Sequence, residues 1–168
     1  MFFSIIIPLY NRPQEIDELL HTLTKQSYLQ FEVLIIEDGS KIDAKAIVDS
    51  YTDRLDISYY YKENAGQGFA RNYGFERAKG DYFIVFDSDC LIPANYLETV
   101  KNYLLEHQLD AYGGPDGAHP SFTPVQKAIS YSMTSPFTTG GIRGNKKHIG
   151  TFHPRSFNMG ISREVWEK

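Results

Sequence analysis

Along roughly the first 110 residues, short apolar runs alternate with segments whose apolar residues recur at helical spacing. Phe3-Ser4-Ile5-Ile6-Ile7-Pro8 is a β-branched run that stops at a proline, the signature of a strand buried on both faces of a parallel sheet. Asn11 stands where it could cap a following helix, with Gln14 at the reciprocal position of a capping box and Pro13 tolerated in the first turn. Ile16, Leu19, Leu20 and Leu23 would then share one helical face. The pattern repeats with a strand over Phe31–Ile36, a Gly39-Ser40 turn, and a helix near Ala44–Asp53 carrying Ala46, Ile47 and Val48. A third strand is predicted at Ile57–Tyr61, and a third helix opens at Gly66 and Gly68 and runs to about Lys79. Asp81–Phe86 forms the fourth strand, and Pro93 and Asn95 start a helix in which Leu97, Val100 and Leu104 keep the spacing.

Strands alternating with helices at this short interval predict an α/β fold with a mostly parallel central sheet and right-handed crossovers. After Ala111-Tyr112-Gly113-Gly114 the texture changes: residues 115–155 are rich in Gly, Pro, Ser, Thr and His without a clear period, and read as long loops with short elements. Ser156–Ile161 returns to a strand pattern, and Ser162 is placed to cap a helix beginning at Arg163. The sequence stops at Lys168, barely a turn into that helix. The expectation is one domain over 1–168, of which 1–110 is one half and 111–168 the start of a second, truncated half.

With 168 residues, 42% of them hydrophobic and 14% aromatic, the chain can bury one real core. A formal charge of −4 disfavours a nucleic-acid binder held by phosphate neutralisation. The single cysteine, Cys90, cannot form an intramolecular disulfide, which fits a reducing compartment and makes the cytoplasm the default. No apolar run reaches the roughly 18 to 20 residues that span a bilayer.

In an open parallel sheet, ligands bind at the carboxyl ends of the strands. Three polar clusters fall there: Pro8-Leu9-Tyr10-Asn11, Glu37-Asp38-Gly39-Ser40 and Asp87-Ser88-Asp89. The last offers hard oxygen ligands directly after a buried strand, the chemistry required by Mg²⁺ or Mn²⁺ holding a substrate diphosphate. An Asp-x-Asp pattern alone arises readily by chance, and it equally suits a solvated turn before a helix, so its position carries the weight. Glu37 and Asp38 suit either a capping turn or acceptors for a base N–H or ribose hydroxyl. Tyr10 could stack on a nucleobase, although a chain with 12 tyrosines offers blander roles for one of them.

Asn64-Ala65-Gly66-Gln67-Gly68 leads into a helix carrying Arg71, which could pair with a diphosphate or simply lie at the surface. Neither a dinucleotide-binding Gly-x-Gly-x-x-Gly nor a P-loop is present. A serine-hydrolase elbow and zinc spacing are absent as well. The later segment holds Asp116, Arg143, Lys146, Lys147, His148, His153 and Arg155, which suit a solvated loop face or loops over an anionic leaving group.

Ser4–Asn11, Val33–Ser40, Asn64-Ala65-Gly66 with Ala70-Arg71-Asn72, and Phe86-Asp87-Ser88-Asp89, taken in that order, closely resemble the family 2 glycosyltransferases. The likeness is strong to about Leu105 and resumes at Phe157–Trp166. It implies a GT-A fold, a Rossmann-like α/β/α sandwich, and transfer of a sugar from a nucleoside diphosphate sugar to an acceptor hydroxyl, inverting and dependent on Mn²⁺ or Mg²⁺. By this resemblance the region of Pro8 and Tyr10 lies against the donor base, and Glu37 and Asp38 address base or ribose. Arg71 falls near the nucleotide, Asp87 and Ser88 belong to the donor motif, and Asp89 with Asp87 would hold the metal.

Glu37 stands where the family usually has aspartate. The family's catalytic base would fall beyond Lys168, so no base is assigned, and residues 1–168 are expected to bind donor and metal but to transfer sugar slowly or not at all. The resemblance also implies a UDP-sugar as the favoured donor and a glycan or lipid-linked acceptor, in polysaccharide or glycoconjugate synthesis at the cytoplasmic face of the membrane. Two alternatives remain at this point: a sugar nucleotidyltransferase, whose basic glycine-rich loop is replaced here by Tyr10-Asn11-Arg12-Pro13, and a non-catalytic nucleotide-sugar-binding module.

Overall fold

The computed structural model describes residues 1–115, 117–139 and 158–168. These fall into two compact units, divided as Met1–Tyr112 with Ser156–Lys168, and Gly113–Arg155. In the first unit the elements run β1 (Phe3–Leu9), α1 (Pro13–Leu23), β2 (Phe31–Asp38), α2 (Lys45–Asp49), β3 (Ile57–Lys62), α3 (Gln67–Phe75), β4 (Tyr82–Val85) and α4 (Tyr96–His107). A strand β5 (Ala111–Gly113) follows at the division between the units. The second unit contributes α5 (Pro124–Thr134) and α6 (Pro136–Thr139), and the chain re-enters the sheet with β6 (Met159–Ser162) and ends in α7 (Arg163–Trp166). No described helix is long and apolar enough to cross a membrane.

The expected α/β architecture is present. The six strands are ordered β3-β2-β1-β4-β6-β5. β1 pairs in parallel with both β2 and β4, and β2 with β3, while β4 pairs antiparallel with β6. Every residue of β1, β2 and β4 is buried, as the apolar stretches at residues 5–9, 33–36 and 82–85 predict for strands covered on both faces. Strand alternation splits the core in two. Phe3, Ile5, Ile7 and Leu9 pack with Val33, Ile35, Ile84 and the apolar faces of α1 and α4. Ile6, Leu34, Ile36, Phe83 and Val85 face α3 through Ala70 and Phe75, with Trp166 of α7 alongside. Gly74 lets α3 approach closely, since a Cβ there would sit 2.6 Å from Ile6 Cγ2.

Several local readings change. Asn11 does not cap α1: its φ is +53°, its side chain accepts from Lys41 N instead, and the N-cap position belongs to Arg12, which makes no side-chain cap. Pro13 does open the helix, and Ile16, Leu19, Leu20 and Leu23 are its buried face. α2 is shorter than its pattern suggests and leaves Ala46 exposed, because Ser50 and Tyr51 N–H turn to the carbonyls of Ile47 and Val48 in a tightened last turn. α3 ends at Phe75 rather than near Lys79. There the Lys79 N–H donates to Glu32 Oε1 (2.6 Å) and the Gly80 N–H to Ser4 Oγ (2.8 Å), so the backbone leaves the helix for a buried polar pair. Ser162 caps α7 as predicted, accepting from Val165 N.

In the second unit, the stretch read as loops contains the 11-residue helix α5. Its start carries a local signature that the surrounding texture masks: Thr123 and Gln126 form a reciprocal capping box with Pro124 at the first helical position.

Candidate functional site

β1, β2 and β3 are laid down in one direction across the sheet, and the chain then returns to place β4 on the other side of β1. The order therefore reverses between β1 and β4, and an open sheet of this kind offers its ligand crevice outside the carboxyl ends of those two strands. A cleft of about 330 Å³ lies there. Pro8, Leu9, Tyr10 and Arg12 line it from the end of β1, Asp38 from β2, and Asp87, Ser88 and Asp89 from the segment after β4. Asn64, Gly66 and Gln67, from the entry to α3, complete the wall. The three polar clusters singled out in the sequence thus meet in one place.

Of these lining residues Tyr10 is half exposed and Ser88 is buried. Asp38 is only 3% exposed. Its carboxylate accepts from the Lys62 ammonium and from the backbone N–H groups of Ala65 (3.1 Å) and Gly66 (2.8 Å), while its carbonyl accepts from Asn64 Nδ2. Burial alone would raise this carboxyl. The Lys62 ammonium and the two N–H donors outweigh it and hold the group below its ordinary value. Gly39 makes the turn possible, with φ +73° and no room for a Cβ, which would meet Asn64 N at 2.6 Å.

Glu37 follows the capping-turn reading rather than the donor contact that the resemblance implies. It is fully buried and outside the lining of the cleft. Its carboxylate accepts from Ser40 Oγ, Ala44 N (3.1 Å) and Tyr59 OH (3.2 Å), so it organises the turn after β2. Burial, together with the Glu37 carboxylate, pushes the Tyr59 hydroxyl well up. Ser40 Oγ also accepts from Asn11 N (2.7 Å), which ties the ends of β1 and β2 together.

Asp87 accepts at Oδ1 from Gln67 Nε2 (2.7 Å) and Arg71 Nη2 (3.1 Å). Burial raises its pKa, the Asp89 carboxylate adds to that, and Arg71 and Gln67 offset only part. Arg71 stands behind Asp87 rather than in the lining, with its Nε buried and unbonded among the described residues. Asp89 is more exposed and pairs with Arg12, Nη1 to Oδ2 at 2.6 Å. Sequence reasoning missed this last pair, because its partners are separated by 77 residues.

Among the described residues, no group of three His, Cys, Asp or Glu side chains is arranged to hold an ion. Two carboxylates that leave the remaining positions to diphosphate oxygens and water nevertheless suit Mg²⁺ or Mn²⁺, which keep several non-protein ligands at phosphate sites. Asp87 and Asp89 provide such a pair. Asp116, Arg143, Lys146, Lys147, His148, His153 and Arg155, as well as Ser156 and Phe157, lie outside the described residues.

Comparison with known proteins gives a consistent result. Residues 4–168 match the family model described as Glycosyl transferase family 2. An uncharacterized glycosyltransferase of Rickettsia typhi is 41% identical over 101 residues, spanning 60% of this chain and 31% of that protein. The crystal structure of Staphylococcus aureus TarS 1-349 superposes with a TM-score of 0.74 at 25% identity, covering 99% of this chain and 48% of that one. The same TarS fragment in complex with UDP-GlcNAc gives a TM-score of 0.66 at 31% identity, over 74% of this chain and 37% of that one. The chain therefore spans less than half the length of these relatives.

Proposed function

The chain belongs to glycosyl transferase family 2, and on that premise we propose that its cleft binds a nucleoside diphosphate sugar together with a divalent cation, for transfer of the sugar to an acceptor hydroxyl. One observation carries this reading: Tyr10, Asp38 and the Asp87-Ser88-Asp89 segment, each from the end of a different strand, line a single crevice at the β1/β4 reversal. Membership of the family sets aside the sugar nucleotidyltransferase alternative.

Tyr10 offers a half-exposed ring to the base, and Pro8 and Leu9 an apolar floor beside it. Asp38, ionised and fixed by Lys62, presents a carboxylate edge suited to a base N–H or a ribose hydroxyl. Arg71 and Gln67 hold Asp87 in place from behind, and Asp89 stands at the more open side of the cleft. A divalent cation held by Asp89 and Asp87 would neutralise the charge that develops on the departing diphosphate.

In an inverting transfer the acceptor oxygen bonds to the anomeric carbon as the bond to the diphosphate breaks, the diphosphate leaves with the electron pair, and the hydroxyl proton passes to a carboxylate base. Asp87 and Asp89 are assigned to the donor side, and no described residue is assigned as that base. The UDP-GlcNAc complex of TarS supports a uridine nucleotide as the first donor to test. A glycan or lipid-linked glycan is the proposed acceptor. Calorimetric titration of the 168-residue chain with UDP, GDP and their sugars, with and without Mn²⁺, tests the reading. Mn²⁺-enhanced binding of one nucleotide class is expected, and no binding of any of them would overturn it.

A further inference from the structure

Arg12 sits at the edge of the cleft between two residues whose backbones are tied down. The residue before it, Asn11, is fixed in the left-handed region by two hydrogen bonds, from its N–H to Ser40 Oγ (2.7 Å) and to its Oδ1 from Lys41 N (2.8 Å). Ser40 is itself bonded to the buried Glu37. The residue after it, Pro13, has its φ set by its ring at the first position of α1. From this anchored backbone the guanidinium spans the crevice from the end of β1 to the segment after β4, and meets Asp89 Oδ2 at 2.6 Å. Both side chains are about half exposed, at 49% and 52%. The pair is thus open to competing ions, and salt and solvent hold its strength down.

The guanidinium and a divalent cation are rivals for the same carboxylate. A diphosphate changes that balance, since its oxygens are the acceptors that a guanidinium's planar fork matches best. Resting on the reading of the cleft as a donor and metal site, we propose that Arg12 couples cation and nucleotide binding: it occupies Asp89 until a diphosphate arrives, then pairs with the diphosphate and releases Asp89 to the cation. The positive cation is thereby disfavoured alone and favoured with its nucleotide. By linkage, the nucleotide gains the same factor from the cation.

The test measures Mn²⁺ binding to the 168-residue chain by the electron paramagnetic resonance of free Mn²⁺, with and without saturating UDP, for wild type, Arg12→Gln and Arg12→Lys. Arg12→Gln is expected to bind Mn²⁺ about threefold more tightly than wild type without UDP, the scale set by an exposed ion pair. The factor by which UDP strengthens Mn²⁺ binding should fall by about threefold or more in the same variant. Arg12→Lys keeps the charge but not the fork, and should lie between the two. Equal Mn²⁺ affinity and equal enhancement by UDP in wild type and Arg12→Gln would overturn the inference while leaving the site assignment intact. Wild-type protein that takes up neither Mn²⁺ nor UDP would overturn both.

Discussion

Glu37 and Asp38 are adjacent acids at one strand end, yet they do different work because strand alternation turns them to opposite faces. Glu37 shares the face of Val33 and Ile35 and is enclosed, answering Ser40 Oγ, Ala44 N and Tyr59 OH. Asp38 follows Leu34 and Ile36 and reaches the cleft wall. Glu37→Ala would strand several buried donors at once and is expected to destabilise the fold by about 2–4 kcal/mol, read as a lowered urea midpoint. An unchanged midpoint accompanied by weaker donor binding would contradict the structural role and return Glu37 to the donor. The two acids could be picked out from the sequence, and even their parity could be counted. Which face the cleft would occupy could not, since that depends on where β4 is inserted in the sheet.

Among elements, the join between β2 and the entry to α3 is made by Asp38, which fastens Ala65, Gly66 and Lys62 to the strand end. Its folded carboxyl lies below the ordinary value of 3.8, so the folded chain binds its proton less readily than the unfolded chain does. The stabilisation is therefore fully present above that ordinary value and is lost as pH falls through the folded value. The stability gap between wild type and Asp38→Asn, measured by denaturant titration, should be full at neutral pH and close progressively below about pH 4. A gap that stays constant across that range would refute the assignment.

Element boundaries were the least legible feature. α3 stops early because the Glu32 and Ser4 side chains capture the Lys79 and Gly80 N–H groups, a long-range contact that helical spacing cannot reveal. Asn11 does not cap α1 because its backbone is left-handed and its side-chain Oδ1 accepts from Lys41 N across a turn. The α5 start, by contrast, carried a complete capping box in Thr123-Pro124-Val125-Gln126, and was hidden by the Gly- and Pro-rich texture around it.

For the whole molecule, the parallel core could be read because β1, β2 and β4 each carry an uninterrupted apolar stretch, and chains that alternate such strands with helices have few ways to bury both faces. The cleft was legible to the extent that polar residues follow those strands. The pairings inside it were not, since Arg12 with Asp89 and Gln67 and Arg71 with Asp87 are brought together by the sheet order alone. The central claim is that Asp89, with Asp87, joins a divalent cation to a nucleoside diphosphate in this crevice. The most direct measurement is the affinity of the 168-residue chain for UDP with and without Mn²⁺, for wild type and Asp89→Ala in parallel. Mn²⁺ should strengthen UDP binding in wild type, by about tenfold if the coupling is of ordinary size, and should have little effect in Asp89→Ala. The same Mn²⁺ enhancement in both proteins would contradict the claim.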